Sequence, residues 1–178
     1  APLGGSGEIG MNVNLYHFRD SWIMVDLGIS FPDESTPGVD IILPDLKFIA
    51  DRREKLAGLV LTHAHEDHFG AIPYLWSQIG CPIYGTAFTI ALLRRKLSES
   101  RVALDIPLHE IGMNAPFNLG SFEIEMVALN HSIPDPAALA IRTDAGTILH
   151  TGDWKFDETP VLGRDTDRGR LRAVGDEG

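Results

Sequence analysis

Three histidines and one aspartate fall within the six residues His63-Ala64-His65-Glu66-Asp67-His68. Nothing else in the chain restricts the fold as strongly. Imidazoles and carboxylates crowded together must face water or share a cation. The flanks exclude a purely surface setting. Ala57 to Leu61 is a short apolar run that reads as a buried strand. Asp67 opens a helix on which Ile72, Leu75, Trp76 and Ile79 form an apolar stripe. The motif therefore lies where a buried strand turns into an amphipathic helix. His63 and His65 are two residues apart, so on an extended segment they point the same way and can reach one metal ion. Asp67 and His68 can serve a second ion beside it.

One segment cannot close two metal shells. The other candidates are His131, which follows an apolar strand ending at Leu129-Asn130, and Asp153, which follows a strand ending at His150-Thr151-Gly152. A lone histidine or aspartate at a strand end is usually a cap or turn residue. These two gain weight only beside the histidine cluster. His17, His109 and His150 lie within strands and read as structural. His and Asp donors suit Zn²⁺, with Mn²⁺ a permitted alternative.

The rest of the chain reads as alternating elements. Met11–Phe18 and Trp22–Asp26 form two strands joined at Arg19-Asp20-Ser21, and residues 28–38 form a loop. Asp45 caps a short helix carrying Leu46, Ile49 and Ala50. Pro82–Tyr84 is a strand, and Thr86 caps a helix running to about Glu99. Leu104–Ile111, Phe122–Leu129, Ala137–Arg142 and Thr147–His150 are strands, the last two joined at Asp144-Ala145-Gly146. Residues 1–162 are expected to form one core domain. The Gly-, Asp- and Arg-rich residues 163–178 are expected to be a linker. The Gly-rich opening, Gly4-Gly5-Ser6-Gly7, precedes a strand rather than a helix, so it is a turn near the site and not a phosphate loop. Glu8 and Asn12 are read as positioning neighbouring loops.

The 178 residues, 44% of them hydrophobic, suffice for one domain with a core. The single cysteine, Cys81, excludes an intrachain disulfide and reads as a small buried apolar residue; a cytoplasmic setting fits. No apolar run reaches the ~20 residues of a membrane span, and no signal peptide is expected. The formal net charge of -10 does not suit nucleic acid, whose phosphates need Lys and Arg. A dinuclear zinc site answers that objection locally, because its own positive charge favours a phosphate ester.

The histidine motif resembles the signature of the metallo-β-lactamase superfamily. Asp26 in Val25-Asp26-Leu27-Gly28, His131 and Asp153 resemble its other motifs. Four stretches resemble the ribonuclease J family more narrowly: Leu3 to Asn12, the motif continued through Phe69-Gly70-Ala71-Ile72-Pro73-Tyr74-Leu75, Asn130 to Asp135, and His150 to Asp157. The resemblance implies an α+β fold, the metallo-β-lactamase αββα sandwich of two mixed β-sheets flanked by helices, ending before a β-CASP domain. It implies His63, His65, His131 and Asp153 on a first zinc, and Asp67, His68 and Asp153 on a second. Asp67 and Asp153 would act with a metal-bound hydroxide. Asp26 would orient the histidine loop through hydrogen bonds without touching metal.

The activity implied is hydrolysis of RNA phosphodiesters, 5′-to-3′ and internally, with a preference for a 5′-monophosphate, in mRNA decay and rRNA maturation. The partner is RNA, with homodimers or homotetramers of the full-length protein and no membrane. A last metal histidine and the leaving-group acid would come from regions beyond this chain, which alone would cleave poorly. The histidine motif also permits a small-molecule hydrolase of thioesters or lactams. Structural zinc sites are closed and often cysteine-rich, whereas this His/Asp set suits an open one.

Overall fold

The computed structural model describes residues 1–100, 105–155, 157–161, 163 and 165–177. Two sheets stack face to face. The first has the order β1 (Pro2–Gly4), β2 (Val13–Phe18), β3 (Ser21–Val25), β4 (Leu56–Val60), β5 (Ile83–Gly85), β6 (Leu108–Glu110). Its first three strands are antiparallel, and β3 to β6 run parallel. The second sheet contains β7 (Phe117–Leu119), β8 (Phe122–Ala128), β9 (Ala137–Thr143) and β10 (Gly146–His150) in spatial order β10-β9-β8-β7. It is antiparallel throughout. Only one sheet is mixed, which corrects the expectation of two. Strands that follow one another without a crossover helix can pair only with reversed direction.

Side-chain alternation explains the layers. Along β8, Phe122, Ile124 and Met126 point at the first sheet and meet Ile23, Val25 and Val60 there, joined by Leu139 and Ile141 of β9. On the far face of the first sheet, Leu15, Met24, Leu59 and Leu61 are covered by Ile49 of α1 (Lys47–Ala50), Ile72 and Leu75 of α3 (Ile72–Ile79), and Ile90 and Leu93 of α4 (Ala87–Glu99). The parallel strands are thus buried on both faces, as continuous apolar runs such as Leu59-Val60-Leu61 require. The Thr86 hydroxyl caps α4, accepting from Thr89 N at 3.3 Å. Cys81 is buried, and burial pushes its thiol up to about 12. Among the described residues no helix is long and apolar enough to cross a membrane.

Four further expectations need correction. The helix opened by the histidine motif is two helices, α2 (Glu66–Phe69) and α3. Pro73 has no N–H to continue the backbone ladder, so the second helix restarts at Ile72. Asp45 is not the α1 cap residue; Leu46 holds that position, and Asp45 Oδ1 instead accepts from Lys47 N at 2.8 Å. The strand expected over Leu104–Ile111 is confined to β6, and Leu104 lies outside the described residues.

The fourth concerns the tail. Residues 168–176 are not linker but a helix, α5 (Arg168–Asp176), packed on the outer face of the second sheet. Leu171 and Val174, three apart, rest on Val127, Leu129, Ala138 and Ala140. Asp167 Oδ1 caps the helix, accepting from Arg170 N at 2.8 Å. Arg170 grips Glu125 with both oxygens, at 2.5 and 2.6 Å, and Arg142 adds a contact at 2.9 Å. The Glu125 side chain is 1% exposed, so these guanidinium groups make its burial tolerable.

The Arg170 hydrogen bond chiefly holds the Glu125 carboxyl below its ordinary value. A depressed carboxyl stabilises the fold above its unfolded pKa and loses that contribution as pH falls through its folded one. Glu125→Ala is expected to destabilise the protein by about 3 kcal/mol at neutral pH. Denaturant titrations of wild type and variant should converge as pH falls below 4.5.

Candidate metal centre

The parallel pair β3 and β4 end side by side, Val25 opposite Val60. Both chains leave the sheet there, at the carboxyl ends of parallel strands where α/β sheets place ligands. Asp26 follows β3 with φ 61°, in the left-handed region, and donates its N–H to Val60 O at 3.0 Å. Thr62 to His65 follow β4 and run into α2. The two loops lie against each other: Leu27 N donates to His68 O at 2.7 Å and Ile29 N to Glu66 O at 3.1 Å. A Cβ on Gly28 would sit 1.6 Å from Asp67 O, so only glycine permits this approach. The second sheet is stitched on by Ala137 N donating to Thr62 O at 3.0 Å. It brings His131 from the loop after β8 and Asp153 from the segment after β10.

Asp26 organises the interior. It is 1% exposed; its Oδ1 accepts from Thr62 N, and its Oδ2 from Thr62 Oγ1, both at 2.8 Å. The same Oδ2 lies 2.8 Å from His68 Nδ1. A carboxylate only accepts, so His68 carries its proton on Nδ1 and turns Nε2 toward the cavity. Thr62 Oγ1, having given its proton to Asp26, accepts from His63 Nδ1 at 3.0 Å. That leaves His63 Nε2 with a bare lone pair.

The cavity-facing atoms converge. His63 Nε2 is 3.0 Å from His65 Nδ1, and the His131 ring centroid lies 4.9 Å from that of His65 and 5.1 Å from that of His63. One ligand atom each from His63, His65 and His131 lies within a 4.8 Å cluster; the same holds for His63, His68 and Asp153. Asp153 Oδ2 sits between the groups, 3.4 Å from His68 Nε2 and 3.8 Å from His131 Nε2. Asp67 Oδ2 is 3.5 Å from His68 Nε2. Without a cation the His63–His65 contact is an N–H···N hydrogen bond; with one, both nitrogens can turn lone pairs on it. Zn–N bonds near 2.0–2.1 Å in a tetrahedron separate ligand atoms by about 3.3 Å, close to the spacings here. The residues present fit a metal ion.

Burial, with the neighbouring positive charge of His68, pushes the His63 pKa down to about 3, so this ring is neutral and ready to bind metal. Burial also works against charge on His68, but the carboxylates of Asp26, Asp153 and Asp67 outweigh it together and hold that ring up at about 10. The hydrogen bond from His68 takes Asp153 down to about 2. Burial lowers His131 as well. His17 stacks on Trp22 and His109 on Tyr84, while His150 Nδ1 meets the Tyr16 hydroxyl at 2.8 Å. Glu8 closes its own turn, accepting from Gly5 N at 3.1 Å.

Sequence reasoning did not find Thr62. Its signal was its place at the strand end immediately before the first histidine, where a hydroxyl can serve two neighbours. Nor did it find which atoms Asn12 would touch, which are Asp67 and His68.

The beta-lactamase superfamily domain matches residues 22–167. The chain belongs to the beta-lactamase superfamily. It is 47% identical to a ribonuclease J from Sinorhizobium meliloti, over 99% of this chain and 32% of that protein. It is 44% identical to a ribonuclease J from Helicobacter pylori, over 99% of this chain and 26% of that one. The chain thus spans about a third or less of the length of these curated relatives. Its fold is shared with the metallo-beta-lactamase fold protein YhfI from Bacillus subtilis. That match has a TM-score of 0.60 and 20% identity, over 84% of this chain and 57% of the other.

In this superfamily member Asp26, with Asp153 and Asp67, keeps the His68 ring charged when no metal is bound. Asp26→Asn is expected to lower the His68 pKa from about 10, because burial is then opposed only by Asp153 and Asp67. Imidazole NMR titration of metal-free protein measures it directly.

Proposed function

We propose that this chain is the metal-binding core of a ribonuclease J-type enzyme that hydrolyses RNA phosphodiesters with two zinc ions. The observation that carries the reading is the convergence of His63, His65, His68, His131, Asp67 and Asp153 from three separate stretches, in a chain 47% identical to a ribonuclease J. His63, His65, His131 and Asp153 would hold the first ion, and Asp67, His68 and Asp153 the second. Bound there, the ions supply Lewis acidity that acidifies water and offsets charge on a phosphoryl group. Mn²⁺ would serve the same donors.

The chain's own residues perform the remaining tasks. Neutral imidazoles leave only the charges of Asp67 and Asp153 against two divalent ions, so the pocket stays positive and favours an anionic ester. This local charge decides the contest with the net charge of -10. Exposed carboxylates more than about 8 Å away are largely screened at physiological salt. Asp26 and Thr62 fix which nitrogen of His68 and His63 faces the cavity, so neither ring has to turn to bind. Asp153, placed between the two groups, would be a ligand of both ions. The reading extends to 5′-to-3′ exonuclease and endonuclease action with preference for a 5′-monophosphate, in mRNA decay and rRNA maturation. It also extends to a homodimeric or homotetrameric full-length enzyme in the cytoplasm. The chain alone, with three protein ligands for the second ion, would cleave RNA poorly.

Incubating full-length, zinc-loaded protein with 5′-monophosphorylated RNA tests the activity. Cleavage is expected, with His65→Ala and Asp153→Ala each reducing it by at least about 10²-fold, since a Lewis acid contributes several kcal/mol to such a barrier. Turnover of a thioester or lactam with intact RNA would instead support a small-molecule hydrolase.

Metal uptake should also release protons. His68 is protonated at neutral pH without metal, because its pKa is held at about 10, and its Nε2 must be bare to bind. Calorimetry in buffers of differing ionisation enthalpy should show about one proton leaving per chain at pH 7, with affinity falling as pH is lowered.

A further inference from the structure

The Gly-rich opening and the asparagine that follows it have no part in the reading above, yet they touch its centre. Asn12 Nδ2 lies 3.1 Å from Asp67 O, 3.3 Å from Asp67 Oδ2 and 3.1 Å from His68 Nε2. An amide nitrogen offers two protons and no lone pair, and an amide oxygen only accepts. The two Asp67 acceptors, its backbone O and its Oδ2, orient the amide nitrogen toward them, and the contact with His68 Nε2 suits the deprotonated ring that metal binding requires.

The amide is held in place from behind and from its own backbone. A Cβ on Gly5 would sit 2.4 Å from Asn12 Oδ1, and Gly5 has φ +80°, so a side chain there would collide with the amide and strain the turn. Asn12 N donates to Asp67 O at 2.9 Å, and Asn12 O accepts from Gly28 N at 3.1 Å. Met11, just before it, is held at φ 53°, a conformation that non-glycine residues adopt only when their surroundings impose it. Glycine run, strained methionine and asparagine together form one device aimed at Asp67.

We infer that Asn12 is a positioning residue for the second metal ion, its amide holding Asp67 Oδ2 at the distance from His68 Nε2 that a shared cation needs. Asp67 has its side chain 29% exposed and stands at the start of a four-residue helix, so little else fixes its rotamer. The first ion, on His63, His65 and His131, does not depend on Asn12. The inference rests on the two-metal reading of the site.

Titration of metal-free protein with Co²⁺, followed by d–d absorption and calorimetry, tests it. Asn12→Leu keeps the side-chain volume, and Asn12→Ala removes it; both retain the two backbone hydrogen bonds. One of two Co²⁺ ions is expected to bind about 10–100-fold more weakly in both variants, the range seen when hydrogen-bond partners of metal ligands are removed. The other ion's affinity and spectrum should stay as in wild type, as should the melting temperature of the metal-free protein. Two ions bound with wild-type affinity in both variants would overturn the inference alone. Equal weakening of both ions with a lowered metal-free melting temperature would overturn it too, in favour of a purely structural asparagine. A wild-type protein that binds fewer than two ions would overturn the two-metal reading, and this inference with it.

Discussion

A single buried carboxylate, Asp26, joins the architecture to the chemistry. A charge removed from water costs several kcal/mol unless it is fully partnered. Asp26 meets that demand with a backbone N–H and a hydroxyl from Thr62 and with the His68 ring. Those partners lie at the exit of β4, beside the exit of β3 that carries Asp26. Satisfying the charge therefore pins the two strand ends together and, in the same act, decides which nitrogen of His68 faces the cavity. Through Thr62 the same carboxylate governs His63. The same contacts that bury Asp26 thus decide which ring nitrogens face the cavity.

The second sheet contributes by placement. His131 and Asp153 leave it at the edge where Ala137 bonds to Thr62, so the interface between sheets ends at the donor cluster. The opposite face of that sheet solves a separate problem, the burial of Glu125, with arginines from β9 and α5. Acidic residues thus serve two roles here. Asp26, Asp67 and Asp153 face the histidine cluster. Glu125 fastens a helix. The overall charge of the chain describes neither.

Much of the fold was legible because local rules and tertiary demands agree. The β2–β3 hairpin, the apolar β4, the Thr86-capped α4 and the alternating β8 to β10 all follow from periodicity and turn chemistry. The sequence reading lost its footing where long-range partners decide. α5 looks like linker in a Gly-, Arg- and Asp-rich stretch because its apolar contribution is only Leu171 and Val174. Its anchor is Glu125, 45 residues away from Arg170. β7 is three residues long and exists as the edge partner of β8, too short to show a pattern. Pro73 was visible, but one apolar stripe spans the break and masks it.

The chain itself announces a metal site, since four donors between a buried strand and an amphipathic helix have no cheaper explanation, and it supplies the spacing that sends His63 and His65 the same way. It does not announce which nitrogen each ring would offer, nor that Thr62 stands behind the donors, nor which of them Asn12 touches. Those depend on hydrogen bonds between residues tens of positions apart, such as Asn12 with Asp67 and Asp26 with His68. Ligand type is a property of residues, but ligand orientation is a property of the neighbours that packing brings within 3 Å or so.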